Sequence, residues 1–251
     1  IKDATTFSLD TAEWRLDKFE VTVLHWGKFE DDPNEQNKIK LHSVKDIKMP
    51  EPNDVTVEYN GASLSNIPED LFKYKPTRKK ISFFQNSQNI ISIPEDLYKY
   101  NTGMIDASYV FHGCNNITSI PEELFKYNKN LISISMMFSN NKITNIPENL
   151  FKYNTKLETI SGVCSSCINI TNIPENLFKN CVNAESFVNT FARCSGLRTI
   201  PENLFKYNTK ANNFYATFAG CNSLTYVNLP NRCYSLQESQ YRGIFRGCNR
   251  I

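Results

Sequence analysis

Cys164-Ser165-Ser166-Cys167 is the first place in this chain where chemistry could sit. Two thiols at that spacing suit half of a metal site or a dithiol–disulfide couple. A zinc site would need a second pair of ligands, and Cys181 and Cys194 stand alone with no histidine near them in sequence. The three histidines, His25, His42 and His112, are scattered. Neither a glycine-rich phosphate loop nor a nucleophile elbow is present. Acids recur as Glu69, Glu95, Glu122, Glu148, Glu175 and Glu202, always in one context. Catalysis needs a unique constellation, whereas an acid repeated in every unit is a structural acid. The expectation is a protein that is not an enzyme, with no catalytic residue, no metal ligand and no cofactor.

The context of those acids is a repeat. Ile-Pro-Glu recurs with its prolines at Pro68, Pro94, Pro121, Pro147, Pro174 and Pro201, in steps of 26 or 27 residues. A second ladder with the same period runs through Phe84, Phe111, Phe138, Cys164, Phe191, Phe218 and Phe245. Three residues beyond each stands a small residue: Ser87, Cys114, Asn141, Cys167, Cys194, Cys221 and Cys248. On this reading Cys164 holds a phenylalanine position and Cys167 belongs to the small-residue column, so both are expected to be reduced core thiols. Disulfides between stacked columns would have poor geometry.

One unit predicts one coil of a solenoid. Apolar residues such as Ile117, Ile143, Ile170 and Leu197 fall three before Ile120, Ile146, Ile173 and Ile200. A short Leu-x-x-Ile strand ended by proline is expected there. Past the proline a turn or two of helix is expected, with proline at its first position and glutamate in its first turn. Four residues after each glutamate comes a lysine, as in Glu122 to Lys126 and Glu175 to Lys179, a good helical pairing. A tyrosine column (Tyr74, Tyr100, Tyr127, Tyr153, Asn180, Tyr207) follows, then an asparagine column (Asn101, Asn128, Asn154, Cys181, Asn208) suited to backbone groups left open at a bend. In the more variable arc, Ala107, Ile134, Ile160, Phe187 and Phe214 precede the Phe ladder by four residues. They predict a short helix or tight turn, preceded in some coils by a second small strand such as Leu157–Ile160. The seventh unit is degenerate, with Asn228 in place of the proline.

The fold class expected is thus a leucine-rich-repeat-type solenoid over residues 61–251, about seven coils of 26–27 residues built from short strands and short helical turns. Residues 1–60 lack the repeat. They hold Trp14, Trp26, the apolar run Phe19–Leu24, and the segments Ile39–Leu41 and Val55–Val57, which predict a β-rich cap or small subdomain, a hairpin among the options. The composition agrees with a folded chain: 40% hydrophobic, 12% aromatic, with 28 basic and 26 acidic residues for a net charge of +2. That balance argues against a nucleic-acid footprint. No run of 18 apolar residues appears, so no direct membrane insertion is expected. The chain opens at Ile1 and closes mid-repeat at Ile251, from which a piece of a longer protein is expected.

The two inner positions of each Leu-x-x-Ile segment predict an exposed strip. One line reads Ser65, Ile91, Thr118, Thr144, Thr171, Arg198 and Thr225, the other Asn66, Ser92, Ser119, Asn145, Asn172, Thr199 and Tyr226. Most are the small polar residues of any solvated strand. Arg198, Thr225 and Tyr226 depart late in the chain, and Arg and Tyr are enriched at binding hot spots. Candidate partner-binding residues are therefore Thr171, Asn172, Arg198, Thr199, Thr225 and Tyr226.

The segment Phe218-Ala219-Gly220-Cys221-Asn222-Ser223-Leu224-Thr225, with Ile200-Pro201-Glu202-Asn203-Leu204-Phe205 upstream, resembles BspA-like leucine-rich repeats. The period is longer than is common in that family, and the inserted Glu-x-Leu-Phe-Lys-Tyr-Asn segment accounts for the difference. The resemblance covers about three quarters of the chain. It implies an extracellular or cell-surface binding and adhesion module with a protein or glycan partner, and transfers no catalytic residue. A phage virion component, or a scaffold subunit of a larger assembly, remains the alternative.

Overall fold

A repeat of this length can bury its apolar side only against its neighbours, and the way neighbours are joined decides the shape of the whole. The computed structural model describes residues 8–9, 38–41, 56–59, 66–67, 69, 71–72, 79–80, 84–227 and 231–251. In the N-terminal part, β1 (Ser8–Leu9), β2 (Lys38–Leu41) and β3 (Thr56–Tyr59) form a sheet in the order β1-β2-β3. Both pairings are parallel, with Ser8 beside Lys40 and Lys38 beside Thr56. The segments expected as strands at 39–41 and 55–57 are therefore strands in the main, but no hairpin joins these three, since parallel neighbours need a crossover. Phe19–Leu24 and both tryptophans lie outside the described residues.

From Phe84 onward the coils are joined by backbone hydrogen bonds on the arc whose sequence varies most. Ala107, Tyr109, Phe111 and Gly113 donate their N–H groups to the carbonyls of Ser133, Ser135, Met137 and Ser139, at 2.9, 2.9, 3.0 and 2.9 Å. The corresponding four donors recur in Ile134–Asn140, Ile160–Ser166, Phe187–Arg193 and Phe214–Gly220, each bonded one coil further on. Just before them, parallel bridges connect Lys80, Asp106, Ser133, Thr159, Ser186 and Asn213 in sequence. There the carbonyls of Ile105, Ile132, Glu158 and Glu185 each accept two N–H groups from the next coil. At Leu157–Ile160, where a second small strand is expected, Thr159 makes single bridges rather than a strand, and tight turns follow it before the Phe ladder.

A ladder that bends through a corner needs unusual backbone. Here φ is positive at the second and fourth donors of each coil: Tyr109 and Gly113, Met136 and Asn140, Gly162 and Ser166, Asn189 and Arg193, Ala216 and Gly220. Glycine takes this conformation freely, while other L-residues lose about 1–2 kcal/mol in it. The strain persists because stacking over-determines it.

Two sequence expectations need correction. The Leu-x-x-Ile segments are not strands. Thr144 to Thr118, Gly196 to Ile168 and Arg198 to Thr171, at 3.0–3.1 Å, are the N–H to carbonyl bonds that join neighbouring segments among the described residues. The proline closing each segment has no N–H, and the continuous ladder lies on the other arc. Nor does a helix follow the proline. The chain instead makes successive three-residue turns, as in Leu97 to Pro94, Lys99 to Asp96 and Asn101 to Tyr98 at 3.3, 2.9 and 3.0 Å. So short a segment never recovers the cost of helix nucleation. Among the described residues, regular helix occurs as a 3-10 turn at Asn231–Ser235 and as α1 (Glu238–Tyr241). These follow residues 228–230, where the degenerate unit lies outside the described residues. Past α1, the carbonyls of Arg242, Ile244 and Arg246 again take up the ladder bonds of the coil before.

Inside the stack, side chains of one type meet their own kind. Phe72, Tyr98, Phe125, Phe151, Phe178 and Phe205 form a stack of buried rings with centroids 5.8–6.2 Å apart and planes within 9–12°. A second stack joins Phe84, Phe111 and Phe138, and resumes as Phe191, Phe218 and Phe245. Cys164 interrupts it, and Phe191 leans on Phe178 at 6.1 Å and 44° instead. On the turn side the asparagine column does the stitching. Asn128 Nδ2 donates to the carbonyls of Tyr98 and Asn101 at 3.1 and 2.7 Å, and Asn154 and Asn208 repeat the pair one and three coils on.

Replacing Phe218 by Ala removes a ring stacked on both sides and is expected to destabilise by about 3–5 kcal/mol in chemical denaturation; an unchanged midpoint would place the ring in solvent. At Arg193, where φ is 61°, stability is expected to fall in the order Gly, Arg, Val, because a β-branched residue tolerates the left-handed region least. Val as stable as Gly would show that the corner is not left-handed.

Candidate functional site

The strip is where the sequence places it. Ser65 lies outside the described residues, and every other member of both lines is exposed, Thr171, Asn172, Arg198, Thr199, Thr225 and Tyr226 among them. The flanking residues Ile117, Ile143, Ile170, Leu197 and Leu224 are fully buried, so the inner pair of each segment is turned outward by its neighbours. Arg198 and Thr171 are adjacent in the stack, joined by the N–H to carbonyl bond of 3.1 Å. Thr225 and Tyr226 follow in the next coil, and Tyr226 is 69% exposed, a large aromatic surface. One departure escaped the sequence reading: Ile91, at the other end of the strip, is 62% exposed. It was legible as an apolar residue in a polar line.

A second surface carries the lysine and tyrosine columns. The expected glutamate–lysine pairs four residues apart do not form among the described residues. That geometry belongs to a helix, and these are tight turns. Lysine instead pairs three residues back where an acid stands, Lys99 with Asp96 at 3.6 Å and Lys126 with Glu123 at 3.1 Å. Each ammonium also lies over a tyrosine ring: Lys99 over Tyr100, Lys126 over Tyr127, Lys152 over Tyr153 and Lys206 over Tyr207, at 5.4–5.9 Å. Such exposed contacts are individually weak. The glutamates bond forward to the next coil: Asn149 N–H, Asn176 Nδ2 and Asn203 Nδ2 donate to Glu122, Glu148 and Glu175 at 3.1, 2.9 and 2.9 Å. Glu123 is held below the usual carboxylate range by its bonds to Lys126 and to the Tyr153 hydroxyl.

The thiols sit elsewhere. Cys114, Cys167, Cys194, Cys221 and Cys248 each donate Sγ–H to a carbonyl of the coil before (Phe84, Phe138, Cys164, Phe191 and Phe218), at 2.8–3.2 Å. At the one member that is asparagine, Asn141 Nδ2 donates to Phe111 O at 2.8 Å. From Cys114 onward the column thus shares a donor rather than sulfur. All eight cysteines are free, and seven are buried; Cys248 is half-buried. Burial pushes Cys114 and Cys221 up to about 12. Cys164 is pushed well up, first by its hydrogen bond to Cys167 and then by burial. A thiol held neutral is a poor nucleophile and a poor ligand. Among the described residues no group of three or more His, Cys, Asp or Glu side chains is placed to hold a metal ion. No helix there is long and apolar enough to cross a membrane.

The family model for the BspA type leucine rich repeat region matches residues 65–212 in six copies. No curated protein matches the chain. Among solved structures, it is similar to a chain of the Toll–Spatzle complex from Drosophila at 14% identity, covering 77% of this chain and 39% of that one, with a TM-score of 0.28. The chain therefore spans about two fifths of that structure's length. The leucine-rich repeat domain of the type III effector XopL matches at 15% identity over 83% of this chain and 76% of that one, TM-score 0.49. A leucine rich cell surface protein of Faecalibacterium prausnitzii matches at 14% over 85% and 71%, TM-score 0.28.

The thiol column predicts a pH dependence. Cys114 and Cys221 have folded values raised to about 12 from the ordinary 9.0, so folding favours the neutral thiol. Their contribution is full below about pH 9 and drains away as pH rises towards 12. Thermal midpoints are expected to fall from about pH 9 to 11, by less in the Cys114→Ser, Cys221→Ser double variant; equal falls would place the thiols in solvent. In native labelling Cys248 is expected to react first, with Cys167, Cys194 and Cys221 protected until unfolding.

Proposed function

Because this chain belongs to the BspA-type leucine-rich repeat family, we propose that it is a non-enzymatic binding module of a cell surface, engaging a protein or glycan partner through the exposed strip near its C-terminal coils. The observation that carries this reading is the strip's late chemistry: Arg198 and Tyr226, both exposed, with Thr225 between them in sequence and Thr171, Asn172 and Thr199 beside them. Arginine and tyrosine combine contact area with hydrogen bonding, which is why they dominate binding energetics elsewhere. The strip rides on a stack already fixed by the ladder on the other arc, so little conformational freedom remains to be lost on association.

The surroundings favour binding over catalysis. The residues whose ionisation departs strongly from ordinary values include the core thiols Cys164 and Cys194 and the buried Tyr98, all driven towards the neutral form, the reverse of what a nucleophile requires. Glu122, Glu123, Glu148 and Glu175 are engaged in bonds between coils. The family supports a surface location, whereas the virion reading has no support from the comparisons.

The test is binding to protein and glycan arrays by the unaltered protein and by the Arg198→Ala, Tyr226→Ala double variant, matched for thermal midpoint. Loss of two hot spots is expected to weaken a captured partner at least about 30-fold, equivalent to about 2 kcal/mol. Undiminished affinity in the folded variant removes the site from this strip.

A further inference from the structure

The lysine–tyrosine surface changes character along the stack, through two substitutions in otherwise regular columns. The residue after each recurring glutamate is acidic in the early coils, Asp70, Asp96 and Glu123, and asparagine in the later ones, Asn149, Asn176 and Asn203. Asp96 and Glu123 hold the lysine three residues on, Lys99 and Lys126. Of the asparagines, Asn176 and Asn203 turn their amides to Glu148 and Glu175 of the coil before, and Asn149 reaches Glu122 through its backbone N–H. Lys152, Lys179 and Lys206 are then left without an ion pair among the described residues. The later coils so leave three ammonium groups with tyrosine rings rather than a carboxylate as their near neighbours, Lys152 still acting on Glu123 from further off, while two carboxylates are occupied.

The second change is Asn180, which stands where other coils have tyrosine. With no ring in its own coil, Lys179 lies over Tyr207 of the next one, at 5.8 Å, beside Lys206 at 5.7 Å. The absent ring leaves an open pocket of about 240 Å³ between this coil and the one before. It is walled by the ammonium-bearing Lys152 and Lys179, by Asn149, Asn176 and Asn180, and by Glu148, already bonded to Asn176. Tyr153 and Tyr207 bracket the gap in the column.

We propose that this gap is a subsite for one hexuronic acid residue of an acidic glycan, whose carboxylate draws in the ammonium groups of the exposed Lys152 and Lys179 from the Tyr153 and Tyr207 rings, and whose ring hydroxyls meet the three asparagine amides. Two ammonium groups against one occupied carboxylate favour an anion. Amides that both donate and accept match hydroxyls, which do the same. The volume is below the roughly 300–1,000 Å³ of sites for drug-sized ligands, so a single ring fits and a folded peptide epitope does not. The subsite is separate from the Arg198–Tyr226 strip and does not depend on it.

Calorimetric titration with a galacturonic acid oligosaccharide, with its methyl ester, and with polyglutamate tests this. The acid form is expected to bind, its uncharged ester at least tenfold more weakly. Asn180→Tyr, which restores the ring found in neighbouring coils, is expected to weaken binding at least tenfold without lowering the thermal midpoint. The exposed changes Lys152→Gln and Lys179→Gln give the same loss independently of any effect on folding, while the Arg198→Ala, Tyr226→Ala variant still binds. No binding, equal binding of the ester, or full affinity in Asn180→Tyr or in the lysine variants overturns the proposal. Polyglutamate binding as tightly, with the same sensitivity at Asn180, makes this a site for acidic peptide and overturns it equally.

Discussion

The row of backbone hydrogen bonds between coils is the constraint on which the rest depends. Four alternate N–H groups per coil reach carbonyls in the next, and that requirement fixes the spacing at which everything else must stack. Rings in the two aromatic columns lie 5.2–6.2 Å apart because the backbone holds them so. The amide of Asn128 spans one coil step to two carbonyls for the same reason. Side-chain columns then fill the interior and satisfy what the ladder does not reach. The asparagines serve the turns beyond the proline, and the thiols and Asn141 serve the carbonyls beneath the Phe ladder.

That division explains what was legible in the residues and what was not. Columns made of side chains announce themselves: Phe191 and Phe218, Asn128 and Asn154, Cys194 and Cys221 keep their places because one chemical type is needed at each. The ladder is made of peptide groups and imposes no such uniformity. Position 109 is tyrosine while 136 is methionine, 162 glycine, 189 asparagine and 216 alanine, yet all five share a positive φ. Variable sequence there concealed the most regular backbone in the molecule. Conversely, the Leu-x-x-Ile pattern reads as a strand because its outer residues are buried and its inner ones exposed. That alternation reports burial, and burial does not require a hydrogen-bonded partner. The glutamate–lysine spacing misled for a related reason: it is favourable on a helix, and no helix follows the proline.

For the candidate surfaces, exposure was readable and geometry was not. The strip's residues face solvent as their pattern indicates, because the buried residues on either side leave them no other direction. The pocket beside Asn180 could be found only by asking what a missing tyrosine leaves behind. In a repeat, the shared residue describes the scaffold, and the departures, Arg198, Tyr226, Asn180 and the asparagines that replace acids, are where individuality resides. A rigid stack that presents such departures at fixed spacing is a sound basis for recognition, since its order is established before any partner arrives.

Residue-resolved amide hydrogen exchange tests most directly the claim that the ladder, rather than the strip, holds the coils together. Protection reports the free energy of opening each bond. The N–H groups of Tyr109, Phe111, Met136, Phe138, Phe191 and Phe218 are expected to be among the slowest to exchange. Those of Ser92, Ser119, Asn172 and Thr199 in the strip should exchange orders of magnitude faster. Slow exchange along the Leu-x-x-Ile segments, with rapid exchange at the arc, would mean that the strip is the sheet and would contradict this account.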